Sequence, residues 1–142
     1  MKETIILQTQ SISIGYHNKK VSSLVAKAVS IALKKGKLTA LIGANGIGKS
    51  TLLKTITGIQ TPIMGDVLLH GKNIATYNVS DLSQEMCLVL TEKLPPSNLT
   101  VYELVALGRQ PYTNWIGTLT EEDKIQVERA LSLTQISHLA DK

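Results

Sequence analysis

Gly43-Ala44-Asn45-Gly46-Ile47-Gly48-Lys49-Ser50-Thr51 is the stretch that decides how this chain is read. It fits the pattern G-x-x-x-x-G-K-[ST] at every fixed position, and each fixed residue type has a physical task. Glycines turn through conformations other residues avoid and leave no side chain between the amides and a ligand. Successive N–H groups in such a turn form a concavity suited to an oxyanion. A helix starting near Gly48 adds its positive end and its unpaired amides. Lys49 supplies a mobile point charge for outer phosphates, and Ser50 a hydroxyl for magnesium. The expected ligand is a magnesium–nucleoside triphosphate held along Gly43, Ala44, Asn45, Gly46, Ile47, Gly48, Lys49, Ser50 and Thr51.

The alternative is a Gly-rich turn that happens to end in Lys-Ser, and the flanks argue against it. Leu38-Thr39-Ala40-Leu41-Ile42 is an apolar run with the length of a buried strand. Lys49 to Thr57 then places Leu52, Leu53 and Ile56 on one predicted helical face. Strand, glycine loop and helix, in that order, form the context the motif requires.

The chain has 142 residues, enough for one domain with a real core. At 43% hydrophobic and 18% charged it reads as globular rather than disordered. Aromatics are 4% with no Phe, so the core must be built from Leu, Ile, Val and Ala. The net charge of +4 is uneven: residues 1–71 carry nine Lys against two acids, and residues 72–142 carry six Lys or Arg against nine acids. A basic half around the phosphate motif suits a polyanion. Lys34, Lys35 and Lys37 read as an exposed turn and not as a nucleic-acid patch, because no aromatic residues interleave with them. Cys87 is the lone cysteine, which excludes an internal disulfide and a multi-cysteine metal site; its apolar neighbours predict a small core residue. No run approaches the length of a membrane span, and the first residues are apolar too briefly for a secretory signal, so a cytoplasmic chain is expected.

Strands are expected over Ile5–Tyr16 and Leu24–Leu33, with turns at Gly15–Lys20 and Lys34–Lys37, giving an antiparallel sheet beside the nucleotide core. Asp66–His70 reads as a strand ending at Gly71-Lys72-Asn73, and Leu88–Leu90 as another, begun near Met86. Thr91 to Thr100, with Pro95-Pro96, reads as a loop. Thr100 with Glu103, and Thr120 with Asp123, are capping boxes opening two helices. The first buries Val101, Leu104 and Val105 and stops near Gly108; the second carries Val127, Ala130, Leu131 and Thr134 on one stripe.

These pieces together resemble the N-terminal portion of an ATP-binding-cassette (ABC) transporter ATPase. The resemblance covers nearly the whole chain. Ser13-Ile14-Gly15-Tyr16 resembles the segment bearing an adenine-stacking tyrosine, and Lys35–Gly43 the lead-in to the phosphate loop. Thr51–Gly58 resembles the helix that follows, and Gly65–Lys72 the family's hairpin. Leu99–Val105, with Gly108-Arg109 and Pro111-Tyr112, is similar to the importer branch serving ferric siderophores, haem and cobalamin.

The resemblance implies an α/β phosphate-loop ATPase core with an N-terminal antiparallel subdomain (1–37), part of the core (38–99) and the start of a helical subdomain (100–142). It implies ATP and Mg2+ as cofactors, with Tyr16 stacking on adenine and Ser50 on the metal. The bland reading of Tyr16 is a strand-end tyrosine with its hydroxyl in water. Partners implied are membrane permease subunits and a second ATPase subunit, at the inner face of the plasma membrane, with no nucleic acid. The helical segment from Thr100 to Leu139 would meet the membrane partner.

Two departures stand out. The family's Gln after the hairpin strand falls here on Thr91, followed by Glu92, either of which could serve a magnesium-bound water or no catalytic part. The chain also ends at Lys142, before the positions where the signature segment, the acidic strand and the switch His would come. His138 stands too early to be that His, and His17 and His70 are assigned to turns. The expectation is therefore nucleotide binding with little hydrolysis by this stretch alone. The rivals are a non-transport ATP-binding module and an ABC ATPase for another cargo.

Overall fold

The computed structural model describes residues 4–18, 21–89, 98–114 and 116–142. The chain divides into two compact units, Met1–Leu88 and Val89–Lys142.

The first unit is organised by β1 (Ile5–Asn18), the central strand of a five-stranded antiparallel sheet. β2 (Val21–Val29) and β3 (Ala32–Lys34) pair with one side of β1, and β4 (Met64–Leu69) with the other. A His70-Gly71 turn, positive in φ at both residues, leads from β4 to the short β5 (Lys72–Asn73); such two-residue turns match the twist of the strands they join. The sheet thus draws on residues well beyond the first 37. Gly15 to His17, expected in a turn, continue β1, because their backbones keep pairing with Leu24, Ser23 and Ser22.

The run Leu24–Leu33 is two strands and not one. Ser11 takes φ 48° and the register slips around it, so β1 bends and offers its two halves to different partners. The buried Thr9 spans the break: its Oγ1 donates to the Val29 carbonyl at 2.9 Å and accepts from the Ile31 amide at 3.0 Å.

α1 (Lys49–Ile56) lies against the sheet, and the core between them is Leu7, Ile12, Ile14, Leu52, Ile56, Val67, Leu69 and Ile74. Its buried face is Thr51, Leu52, Thr55 and Ile56, whereas Leu53 is exposed. Leu53 follows Leu52 by about 100° around the helix, which turns it away from β1. Thr55 is tolerated in the core because its hydroxyl donates to the Thr51 carbonyl at 2.8 Å.

The expected strand at Leu38–Ile42 is not formed. Leu38 is 101% and Ile42 90% exposed, and the segment pairs with no strand among the described residues. Apolar content makes a strand only where a neighbour accepts its hydrogen bonds. Met86 to Val89 likewise form no strand, and Leu90 lies outside the described residues. Cys87 is exposed, contrary to the core position its neighbours suggested. It follows α2 (Val79–Glu85), whose N-cap is Asn78.

In the second unit both capping boxes are present. Thr100 opens α3 (Val101–Ala106), which tightens into a 3-10 segment, Leu107–Tyr112, that passes Gly108 and holds Pro111. Val101, Leu104 and Val105 are only half-buried. Thr120 opens α4 (Glu121–Leu133), whose buried stripe is Asp123, Val127 and Leu131; Thr134 stays exposed. Asp123 survives burial because it is fully engaged. The Thr120 amide (3.0 Å) and hydroxyl (2.7 Å) donate to one carboxylate oxygen and Arg109 Nε (2.8 Å) to the other. The Thr120 backbone donor first, then its hydroxyl and Arg109, hold this carboxyl below the usual aspartate range. Glu103 is lowered in the same way by Thr100. The Arg109 guanidinium also lies 4.1 Å from the Tyr112 ring centroid.

Candidate nucleotide-binding site

Gly43 to Ile47 form an exposed loop that runs through Gly48 into α1, whose first turn holds Lys49, Ser50 and the buried Thr51. Gly48 sits at the junction with φ 107° and ψ 9°, a backbone few residues other than glycine accept. A Cβ there would also run into the Val25 side chain on β2. Gly46 is likewise positive, at φ 80°. No side chain caps the start of α1, and among the described residues no hydrogen bond uses the amides of Gly46, Gly48 or Lys49. The loop therefore presents free donors at the positive end of a helix, which is the chemistry an anion needs.

The Lys49 ammonium donates to the carbonyls of Gly43 and Ala44, both at 2.7 Å. It is held over the loop by acceptors that carry only partial charge, so a phosphate oxygen would be a stronger partner. Ser50, exposed in the first turn of α1, is free to turn its hydroxyl toward a metal-bound phosphate. These residues fit magnesium only jointly with a phosphate ligand, since one neutral hydroxyl does not hold a hard dication by itself. Among the described residues no group of three or more His, Cys, Asp or Glu could supply a further metal site.

Tyr16 stands beside this loop. The residue is 55% exposed, and its hydroxyl shares a 3.0 Å hydrogen bond with Thr51 Oγ1. The phenol is thus tied to the helix that starts at the phosphate loop, and its tip is not simply in water. The backbone under the ring is fixed as well. Gly15 lies so close to β2 that a Cβ would strike the Ser23 carbonyl, and its own carbonyl accepts from the Gln60 side-chain amide. Sequence reasoning missed Gln60 and Val25, because neither lies near the motif in the chain. Thr91 and Glu92 lie outside the described residues.

Comparison with known proteins places this geometry in context. Residues 26–142 match the family model described as ABC transporter. The chain is 39% identical over 137 residues to an uncharacterized ABC transporter ATP-binding protein of Methanocaldococcus jannaschii, covering 96% of this chain and 46% of that protein. It is 37% identical over 136 residues to an iron(3+)-hydroxamate import ATP-binding protein of Bacillus subtilis, covering 96% and 49% respectively. Among solved structures it resembles a nucleotide-free ATP-binding cassette from an ABC transporter, with TM-score 0.75 and 28% identity over 98% of this chain and 57% of that one. The chain spans about half the length of the curated relatives it matches.

Proposed function

This chain belongs to the ABC transporter family, and from that premise we propose that it is the nucleotide-binding part of an importer's ATP-binding subunit. The subunit would couple ATP binding and hydrolysis to uptake of a ferric siderophore, haem or cobalamin. The observation that carries the nucleotide reading is the Lys49 ammonium resting on the Gly43 and Ala44 carbonyls beside the unused amides of Gly46, Gly48 and Lys49. The iron-complex reading draws on the printed function of a relative, an iron(3+)-hydroxamate import protein.

In this reading the amides of Gly46, Gly48 and Lys49 receive phosphate oxygens, and Lys49 exchanges the two loop carbonyls for the outer phosphates. The move exposes no unpaired charge, because one set of acceptors replaces another. Ser50 offers its hydroxyl to Mg2+, which when bound neutralises developing charge on the phosphates. Tyr16 gives its exposed face to the adenine, a contact worth about 1–3 kcal/mol for aromatic–base stacking. Chemistry on the terminal phosphate also needs a positioned water and acids at the metal, and the Gly43–Thr51 stretch itself contains no Asp or Glu. We therefore assign this stretch to binding, with hydrolysis depending on the assembled subunit, its pair and the membrane permease at the cytoplasmic face.

Titration with a fluorescent ATP analogue, with and without magnesium, tests the reading. Lys49→Ala should weaken binding at least about tenfold, the loss of one charge-assisted contact of roughly 1.5–3 kcal/mol. Equal affinity in the two proteins removes the phosphate-loop assignment.

A further inference from the structure

We infer that Asn45-Gly46 is a site of spontaneous covalent modification, at which an empty loop converts its asparagine to isoaspartate and a bound triphosphate blocks the change. The chemistry at Asn45 stands by itself; the blocking rests on the nucleotide reading above. Six asparagines occur in the chain, and Asn45 is the one followed by glycine; each of the others precedes a bulky side chain. A glycine amide is the least hindered nitrogen a neighbouring carboxamide can meet, because no Cβ stands beside it. Asn45 and Gly46 are both exposed, and a Cβ added at Gly46 would meet nothing within 4 Å. They form the middle of a turn closed by the Ile47 amide on the Ala44 carbonyl, with Gly46 at φ 80°, as the third residue of a type II turn requires. The closing bond is 3.4 Å long, outside the usual range, so it resists distortion of the turn weakly. Among the described residues no hydrogen bond uses the Asn45 carboxamide or the Gly46 amide. Other carboxamides are tied down. Asn73 donates to Asp66 and accepts from the Ala75 amide, Asn78 does the same with Asp81, and Asn114 accepts from the Ile116 and Thr118 amides.

The reaction needs only water. The Gly46 nitrogen loses its proton and attacks Cγ of Asn45; the new N–Cγ bond closes a five-membered imide as the Cγ–NH2 bond breaks and ammonia leaves. Water then opens the ring. Breaking N–Cγ gives aspartate, and breaking the bond to the main-chain carbonyl carbon gives isoaspartate. Nothing is oxidised or reduced. Isoaspartate inserts one extra CH2 into the main chain just before the Gly46 amide and adds a carboxylate to the loop. Both changes oppose an anion: the amide is displaced, and a like charge stands near the phosphates. A phosphate oxygen on the Gly46 N–H works the other way. It favours the protonated amide, which is not the nucleophile, and it holds the turn in place.

Incubation in mildly alkaline buffer, with and without Mg–ATP, tests the inference. Peptide mapping by mass spectrometry follows the mass gain of NH exchanged for O at each asparagine, and titration with the fluorescent ATP analogue follows binding capacity. Asn45 should convert faster than the other five asparagines, and capacity should fall by the fraction converted to isoaspartate. At about ten times its Kd, Mg–ATP leaves the loop empty about a tenth of the time, so the rate should drop about tenfold. Asn45→Gln, which would have to close a larger ring, should keep through the incubation whatever capacity it starts with. Conversion at Asn45 no faster than elsewhere overturns the inference, and so does an equal loss of capacity in Asn45→Gln. Fresh protein that binds the analogue but converts at the same rate with Mg–ATP overturns the blocking and leaves the nucleotide reading in place. Fresh protein that binds no analogue refutes the nucleotide reading and the blocking with it, while the mapping still decides the chemistry at Asn45.

Discussion

Replacing Gly48 by alanine tests whether the loop's shape comes from its backbone or from its neighbours. Two costs arise together. A φ of 107° is a region that L side chains rarely enter, and holding one there costs about 1–3 kcal/mol. The added Cβ also meets the Val25 side chain, and such overpacking costs about 1–3 kcal/mol. The sum, roughly 2–6 kcal/mol, is a large share of the 5–15 kcal/mol that ordinarily holds a domain together. The two parts can be separated. Gly36 also has a positive φ, 68°, but a Cβ there meets nothing within 4 Å. Gly36→Ala should therefore show strain without collision, about 1–2 kcal/mol for a left-handed residue. Adding Val25→Ala to Gly48→Ala should return the collision part, read against Val25→Ala alone as a double-mutant cycle. Urea unfolding gives the stabilities, and ATP-analogue titration shows whether the loop still holds phosphate. A Gly48→Ala protein as stable as Gly36→Ala, with no coupling to Val25, would refute the assignment of strain and contact at this junction.

Two further outcomes follow from the second unit and from Cys87. Asp123 has a folded-state pKa held below its unfolded value, so its contribution is fully present above the ordinary aspartate range and is lost as pH falls through the depressed value. Melting temperatures from pH 6 down to pH 2 (a range of about four units spanning the carboxylates) should fall in the acid limb, and Asp123→Asn should flatten that limb while lowering the neutral plateau. Cys87, exposed after α2, should react with a thiol reagent in the native protein as fast as in urea; marked protection would contradict its position.

Much of the site was legible from local chemistry. The glycine spacing, the Lys-Ser pair and the two capping boxes involve groups within a few residues of one another, so their geometry is set by backbone preferences the sequence carries directly. Thr100 with Glu103 and Thr120 with Asp123 adopt the reciprocal bonds their spacing calls for. Non-local matters were less accessible. Leu38–Ile42 has the composition of a strand, but a strand exists only with a partner, and composition does not name one. Cys87 sits among apolar residues in sequence and yet is exposed, because burial depends on what folds over a segment.

The amino-acid sequence alone determined that a glycine-rich turn opens a helix near Lys49, because glycine conformations, helix ends and caps are properties of a few consecutive residues. Only the tertiary structure decided which hydroxyl meets Tyr16, which side chain makes a glycine necessary at position 48, and where Arg109 finds the carboxylate that offsets its charge. Those pairs join residues from 14 to 35 positions apart, and pairing at that range is fixed by the bend in β1 and the packing of helices, which no local preference specifies.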